Sequence, residues 1–326
     1  MKKFLLLSLI CLAVVGMTTA PSDALAKKFK AKVGGGPTGG TFNTFANAMA
    51  VYLPKNMTDI KVMAVGSQGS VENVKRISAG DNNFGLCHGV DSALGREGLF
   101  SQDKKKYDSV RVLGFLYGAP VQLVVRADSD INSAADLVGK KVGIGEVGSG
   151  AAASAERFLS QLGIWADIDS RHLGYSAAAT AFKKGEIDAF WVLAGYPNRS
   201  VTLAGVPFDI RLVDLDKDAK ASGFYDKYDY LPVVIPAGTY GEKVGNCATF
   251  QDATFLCANA EVPAETVYEI MRTLWSKSGL AAMAAAKSTF GTMSVESGLT
   301  GVNIPLHEGA IRFWEKKGLA VPAELK

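Results

Sequence analysis

Twice in this chain a run that reads as a β-strand ends in a glycine-rich turn and passes directly into a helical pattern. The first turn is Gly34-Gly35-Gly36-Pro37-Thr38-Gly39-Gly40-Thr41 and the second is Gly143-Ile144-Gly145-Glu146-Val147-Gly148-Ser149-Gly150. Glycine lets the backbone take positive φ and come close to a ligand, and the free N–H groups of the helix start attract negative oxygens. Two such turns predict two half-sites around one small anion. Each turn also carries the GxGxxG spacing, at Gly34/Gly36/Gly39 and Gly143/Gly145/Gly148. A dinucleotide site needs, in addition, an acidic residue at the end of the next strand. Asp59 comes before the next apolar run, and Asp167 and Asp169 lie in a polar connection before Arg171-His172-Leu173, so the dinucleotide reading is set aside.

At the N-terminus, Lys2-Lys3 precede an uncharged, largely apolar run over residues 4–17 and then Ala24-Leu25-Ala26. This is the pattern of a Sec signal peptide cut after Ala26, which predicts a periplasmic protein. Ser8-Leu9-Ile10 before Cys11 lacks the small residue of a lipoprotein signal. No later stretch reaches the roughly 18 consecutive apolar residues of a membrane span. The chain has 35 basic and 32 acidic residues, and the leader holds two of the former and one of the latter, so the mature net charge is +2. That balance, without a basic block, gives no reason to expect nucleic-acid or membrane-surface binding. Of the four cysteines, Cys87, Cys247 and Cys257 remain. The last two can bridge only if the chain turns back at Gln251-Asp252, because ten extended residues span about 33 Å. There is no CxxC, HExxH or His/Cys cluster, so neither a metal nor a cofactor is expected.

Residues 29–95 alternate strand and helix three times: strands at 29–35, 60–66 and 84–87, helices at 41–53, 70–79 and 91–96. Such alternation means α/β architecture with a parallel sheet, whose ligands sit beyond the carboxyl ends of the strands. Phe42, Phe45, Met49 and Leu53 form a buried helical stripe. After a polar loop at 101–108, the spacing predicts strands at 110–117 and 121–126, separated by Gly118-Ala119-Pro120. A second alternating unit follows, with Ser133 as a helix cap, a strand at 141–145, a helix at 151–162 ended by Gly163, a helix at 176–184, a strand at 187–193 and a helix from Pro197. Residues 224–230 read as a tyrosine-rich loop, 247–258 as an extended segment, and 264–277, 279–287 and 306–317 as helices. The length favours two lobes, since single cores stop growing at about 250–300 residues. Taking 121–126 and 250–258 as the two crossing strands assigns residues 27–120 and 248–326 to lobe 1 and 121–247 to lobe 2.

Five segments in order carry a family resemblance. They are Gly35-Gly36-Pro37-Thr38-Gly39-Gly40-Thr41, Gly69-Ser70-Val71-Glu72-Asn73, Ile187-Asp188-Ala189-Phe190-Trp191-Val192-Leu193-Ala194-Gly195-Tyr196-Pro197, Val234-Ile235-Pro236-Ala237-Gly238-Thr239-Tyr240 and Ile304-Pro305-Leu306-His307-Glu308-Gly309-Ala310. Together they resemble the TAXI-type solute receptors of TRAP transporters. The resemblance implies a bilobal periplasmic-binding-protein-like fold (type II), with two hinge strands joining the lobes. It also implies a monomer that captures a small organic anion, such as glutamate, another amino acid, a dicarboxylate or an oxoacid, and hands it to the TRAP membrane subunits. Asp136-Leu137-Val138-Gly139-Lys140-Lys141-Val142-Gly143 resembles the second-lobe entry of bilobal receptors generally. Where the family carries a glutamine at the end of the third strand, this chain has His88-Gly89-Val90-Asp91.

The candidate ligand contacts are the helix-start groups Thr38, Gly39, Gly40, Thr41, Ser149, Gly150 and Ala151, joined by Gln68, Gly69 and Ser70. His88 and Asp91 stand at the end of the third strand, and Tyr175, Trp191, Gly195 and Tyr196 at the second rim, where an aromatic would cover an aliphatic ligand body. In contact with an anion, His88 is expected to strengthen binding as pH falls through about 6.5. Arg126 is the only arginine in the hinge strands, so hydroxyls and backbone N–H groups are expected to hold the carboxylate. Two other roles compete: a periplasmic sensor for a membrane signalling protein, and an exported hydrolase. Neither Gly66-Ser67-Gln68-Gly69-Ser70 nor Val147-Gly148-Ser149-Gly150-Ala151 has the Gly-x-Ser-x-Gly spacing; of the paired strand-end carboxylates that acid–base work would need, only Asp91 and Glu146 qualify and either can simply face solvent, so a non-enzyme is expected.

Overall fold

The computed structural model describes residues 28–326, so the signal-peptide expectation lies outside the described residues. Ten strands form one hydrogen-bonded sheet: β1 (Phe29–Gly34), β2 (Ile60–Val65), β3 (Phe84–His88), β4 (Val110–Arg126), β5 (Lys141–Gly143), β6 (Asp169–Arg171), β7 (Ala189–Leu193), β8 (Ile210–Leu212), β9 (Leu231–Ile235) and β10 (Cys247–Asn259). Their order is β2-β1-β3-β10-β4-β7-β5-β6, with β8 on β4 and β9 on β10. The path contains the same module twice. In one, β2, β1 and β3 are parallel and β10 runs antiparallel beside β3; in the other, β6, β5 and β7 are parallel and β4 runs antiparallel beside β7. Five helices matter for the site: α1 (Thr41–Asn56), α2 (Ser70–Ser78), α3 (Gly89–Glu97), α4 (Gly150–Gln161) and α5 (Tyr175–Lys183). They follow β1, β2, β3, β5 and β6 in turn, as crossover connections between parallel strands require.

The strand expected to break at Gly118-Ala119-Pro120 runs unbroken for 17 residues. Pro120 is tolerated because β4 changes partners there: Gln251 of β10 pairs with Pro120, and Leu193 of β7 pairs with Val121. A residue without an N–H fits where one ladder ends and the next begins. The tyrosine-rich segment is not an open loop. Phe224–Lys227 forms a helical turn, Phe224 and Tyr230 are buried, and their rings stack 5.0 Å apart in a cluster with Phe158 and Phe250. Residues 264–277 divide at Trp275: one helix covers Ala264–Leu274, and Ser276 caps a second over Lys277–Ala286. Past it the chain packs back on β4, where Trp314 Nε1 donates to the Leu113 carbonyl at 2.8 Å.

The stripe on α1 is buried as its spacing requires, with Phe45, Met49 and Leu53 fully inside. Cys247 and Cys257 sit at opposite ends of the straight β10, which puts a bridge out of reach, and all three described cysteines are buried and free. Burial, above all, pushes the Cys87 thiol well up from its ordinary value. Among the described residues, no helix is long and apolar enough to cross a membrane.

Candidate functional site

The turns after β1, β2 and β5, the end of β3, the start of α5 and the end of β7 surround one cavity of about 40 Å³. What lines it is mostly helix starts: Gly40, Thr41 and Phe42 of α1; Gly69 and Ser70 of α2; His88 before α3; Ser149, Gly150 and Ala151 of α4; Gly174 and Tyr175 of α5. Pro37, Gln68, Tyr117, Gly145, Glu146, Leu193 and Ala194 complete the wall. The N-cap residues of α1, α2, α3 and α5 are Gly40, Gly69, His88 and Gly174, and none makes a side-chain capping bond. At α3 the Asp252 carboxyl already takes that place, accepting from Val90 N–H at 3.2 Å, so the first N–H groups of α1, α2 and α5 are the ones left for an oxygen in the cavity, which the helix dipoles also favour. Helix α4 differs: Ser149 Oγ accepts from Ala152 N–H at 3.0 Å and caps it.

Two hydroxyls in this wall lack a well-formed hydrogen bond. Thr41 and Tyr117 are 3% and 1% exposed, and neither Thr41 Oγ1 nor the Tyr117 hydroxyl has a partner at normal hydrogen-bond geometry, although the Tyr117 hydroxyl lies near both Thr41 and Thr254. Buried hydroxyls are ordinarily paired, so two facing one cavity mark a place where a polar ligand atom would be held. Ser70 Oγ is already engaged, accepting from His88 N–H at 2.8 Å. The Tyr175 hydroxyl is engaged too, donating to the Leu193 carbonyl at 2.8 Å. Among the described residues, no lysine or arginine side chain lines the cavity.

Behind this wall lies a buried charge network. Arg157 of α4 donates from Nη2 to Asp91 Oδ1 at 2.9 Å, and its Nε and Nη2 reach the Tyr230 hydroxyl at 3.1 and 2.6 Å. The Arg157 side chain is 10% exposed and that of Asp91 is 0% exposed. Burial, reinforced by Asp91 and opposed by Arg157, raises the Asp252 carboxyl well above the usual range. The Arg157–Asp91 pair ties α3 of one module to α4 of the other. His88 stands between network and cavity, with Nδ1 3.2 Å from Thr254 Oγ1 and its ring 4.8 Å from that of Phe42. Burial lowers its pKa to about 4, Asp91 opposing and Arg157 assisting, so it is neutral at physiological pH. The expectation of titration near the unperturbed value is corrected for that reason.

The two modules meet tightly here. Glu72 N–H of α2 donates to the Gly148 carbonyl at 3.1 Å. A Cβ at Gly150 would fall 2.6 Å from His88 Cδ2 and 2.8 Å from Asp91 Oδ2. Gly69, at φ +131°, lies against Ser149 in the same contact. Only glycine permits so close an approach of one helix start to the other module.

Of the residues singled out in the sequence, Gly40, Thr41, Gln68, Gly69, Ser70, His88, Ser149, Gly150, Ala151 and Tyr175 line the cavity, and six do not. Thr38 and Gly39 are exposed on the outer side of their turn. Asp91 is turned into the ion pair. Trp191 is fully buried two residues before the rim, its Nε1 donating to Ser154 Oγ at 2.9 Å, because β7 has helices on both faces and places this side chain under α4. Gly195 packs against Thr289, and Tyr196, like Tyr240, packs on an apolar cluster that includes Phe182, Phe190 and Ile210. Sequence reasoning missed Tyr117, Glu146, Leu193 and Arg157 as parts of this region. Glu146 lies inside the second glycine turn and Tyr117 immediately before Gly118, so both stood beside features already marked, whereas Arg157 sits in a helix of small and apolar residues and gave no signal.

Taken together, the paired modules, the crossing strands and a cavity between helix starts define the two-lobed periplasmic-binding-protein fold. Residues 33–318 match the NMT1-like family, and the chain belongs to it. Among solved structures it is similar to MatC from Rhodopseudomonas palustris with bound malate, at 15% identity over 80% of this chain and 88% of that one, with a TM-score of 0.53. It is also similar to a putative L-cystine ABC transporter protein from Listeria monocytogenes, at 14% identity over 81% and 96%, with a TM-score of 0.52. At such identities the likeness speaks for the fold.

Proposed function

We propose that this protein is a solute-binding receptor, not an enzyme, that captures one small organic anion in the cavity between two lobes. The lobes comprise residues 27–120 with 248–326, and residues 121–247. The observation that carries this reading is the convergence of three helix starts without side-chain caps, those of α1, α2 and α5, and two buried hydroxyls without a well-formed hydrogen bond on one cavity that, among the described residues, no basic side chain lines. Such a wall suits a carboxylate held by N–H and O–H donors. The ligand contacts are the cavity-lining residues from Thr41 to Tyr175 named above. The bound malate of the MatC structure accords with a small carboxylate as ligand. The TAXI-like segments extend the reading: the protein is exported to the periplasm after loss of residues 1–26, acts as a monomer and delivers its ligand to TRAP-type membrane subunits. The lobes close about residues 121–126 and 250–258, since a ligand touching both lobes favours the state in which it touches both.

Calorimetric titration of purified, ligand-stripped protein with panels of amino acids, dicarboxylates, oxoacids, neutral sugars and cations tests the reading. One-site binding of at least one small carboxylate is expected. Binding confined to sugars or cations would overturn it.

A further inference from the structure

The cavity is not uniformly friendly to negative charge. Lining the same cavity as the helix starts and the Thr41 and Tyr117 hydroxyls is one carboxylate, Glu146, half-buried in the turn after β5. Its position is built. The turn closes with Ser149 N–H donating to the Glu146 carbonyl at 3.0 Å. Gly174 makes room for the side chain, since a Cβ there would fall 2.2 Å from Glu146 Oε1. Among the described residues no ion pair engages this carboxylate, and the neighbouring Tyr175 hydroxyl is committed to Leu193.

A ligand with two carboxylates would bring one of them toward Glu146, where like charges in a partly desolvated site repel. A ligand with a protonated amine beside its carboxylate meets donors for the carboxylate and a counter-charge for the amine. We infer that Glu146 determines specificity by charge pattern: the site takes a small zwitterion, a carboxylate bearing a protonated amine, and discriminates against the oxoacid or dicarboxylate of the same skeleton. This inference rests on the proposed capture of an anion in the same cavity. His88, neutral in the wall, adds no positive charge to offset Glu146.

The test is calorimetry on matched pairs at one ionic strength, L-alanine against pyruvate and L-glutamate against 2-oxoglutarate. For the parent protein, the amine-bearing member of at least one pair should bind tighter by about tenfold or more, as expected for a charge-assisted contact. Glu146→Gln should bring that ratio to within about threefold, while Glu146→Asp, which keeps the charge, should preserve its direction. Thermal melting of both variants establishes that they fold. A parent that binds the oxoacids as tightly as the amines overturns the assignment, and so does a folded E146Q that keeps the full preference. If neither member of either pair binds while other carboxylates do, the assignment falls alone; if no carboxylate of any kind binds, the anion reading falls with it.

Discussion

Replacing Arg157 by leucine would isolate Asp91 inside the protein. The aspartate side chain is 0% exposed and its Oδ2 has no hydrogen-bond partner, so Arg157 at 2.9 Å is its principal stabilising group. Removing one member of a buried pair destabilises by about 3–5 kcal/mol. The loss has a ceiling, because the stranded carboxylate can take a proton instead. Starting from an ordinary value near 3.9, protonation at pH 7 costs about 1.36 kcal/mol for each of roughly three units, or about 4 kcal/mol. At pH 5 the same step costs only about 1.5 kcal/mol. Arg157→Leu should therefore lower stability by about 4–5 kcal/mol at pH 7 and by about 1.5–2.5 kcal/mol at pH 5, the excess over the protonation cost at each pH reflecting the lost bonds to Tyr230. The sign follows from linkage: in the variant a buried carboxyl without a counter-charge favours the protonated form, so stability is present at low pH and lost as pH rises. Adding Asp91→Asn to R157L should remove the pH dependence. Urea unfolding at the two pH values, read at constant m, measures all three quantities. A loss below about 1 kcal/mol at pH 7, or equal losses at both pH values, would refute the claim that the pair is buried and ionised.

Other outcomes follow from the same geometry. His88, held at about 4 when folded, contributes stability that is fully present above about 6.5 and lost as pH falls toward 4, by up to about 3 kcal/mol, and His88→Gln should flatten that part of the stability profile measured by chemical denaturation. Thr41→Val and Tyr117→Phe should each weaken ligand binding by about tenfold with an unchanged or higher melting temperature, because the deleted hydroxyls have no well-formed hydrogen bond within the protein; a fall in melting temperature without loss of affinity would make them structural. Ser149→Ala, in contrast, should cost about 1 kcal/mol of stability by thermal melting, since its Oγ caps α4. Gly150→Ala puts a methyl against His88 and Asp91 and should leave small-angle scattering of the ligand-saturated protein at the radius of gyration of the unliganded parent.

Where apolar periodicity is long, the sequence specified the fold. The three strand–helix pairs over residues 29–97 lie within three residues of their expected bounds, because each buries a full stripe such as Phe42, Phe45 and Met49. Short pieces were illegible. β6 is the polar triplet Asp169–Arg171, β8 is three residues long, and β9 contains Pro232, which an edge strand paired on one side tolerates. For the site, the glycine turns pointed to the right segments because a helix start needs only local chemistry. Tyr117 and Arg157 escaped because their roles come from what the opposite module brings against them. Trp191 misled for the complementary reason: strand-end position says nothing about which helix covers a side chain.

The most direct test of the central claim is a crystal structure of the protein with its ligand, obtained by co-purification or soaking. The account predicts one small molecule whose carboxylate oxygen lies within hydrogen-bond distance of Thr41 Oγ1 and the Tyr117 hydroxyl, at the starts of α1 and α2. A specific ligand bound elsewhere, with those two hydroxyls still lacking a well-formed hydrogen bond, would contradict it.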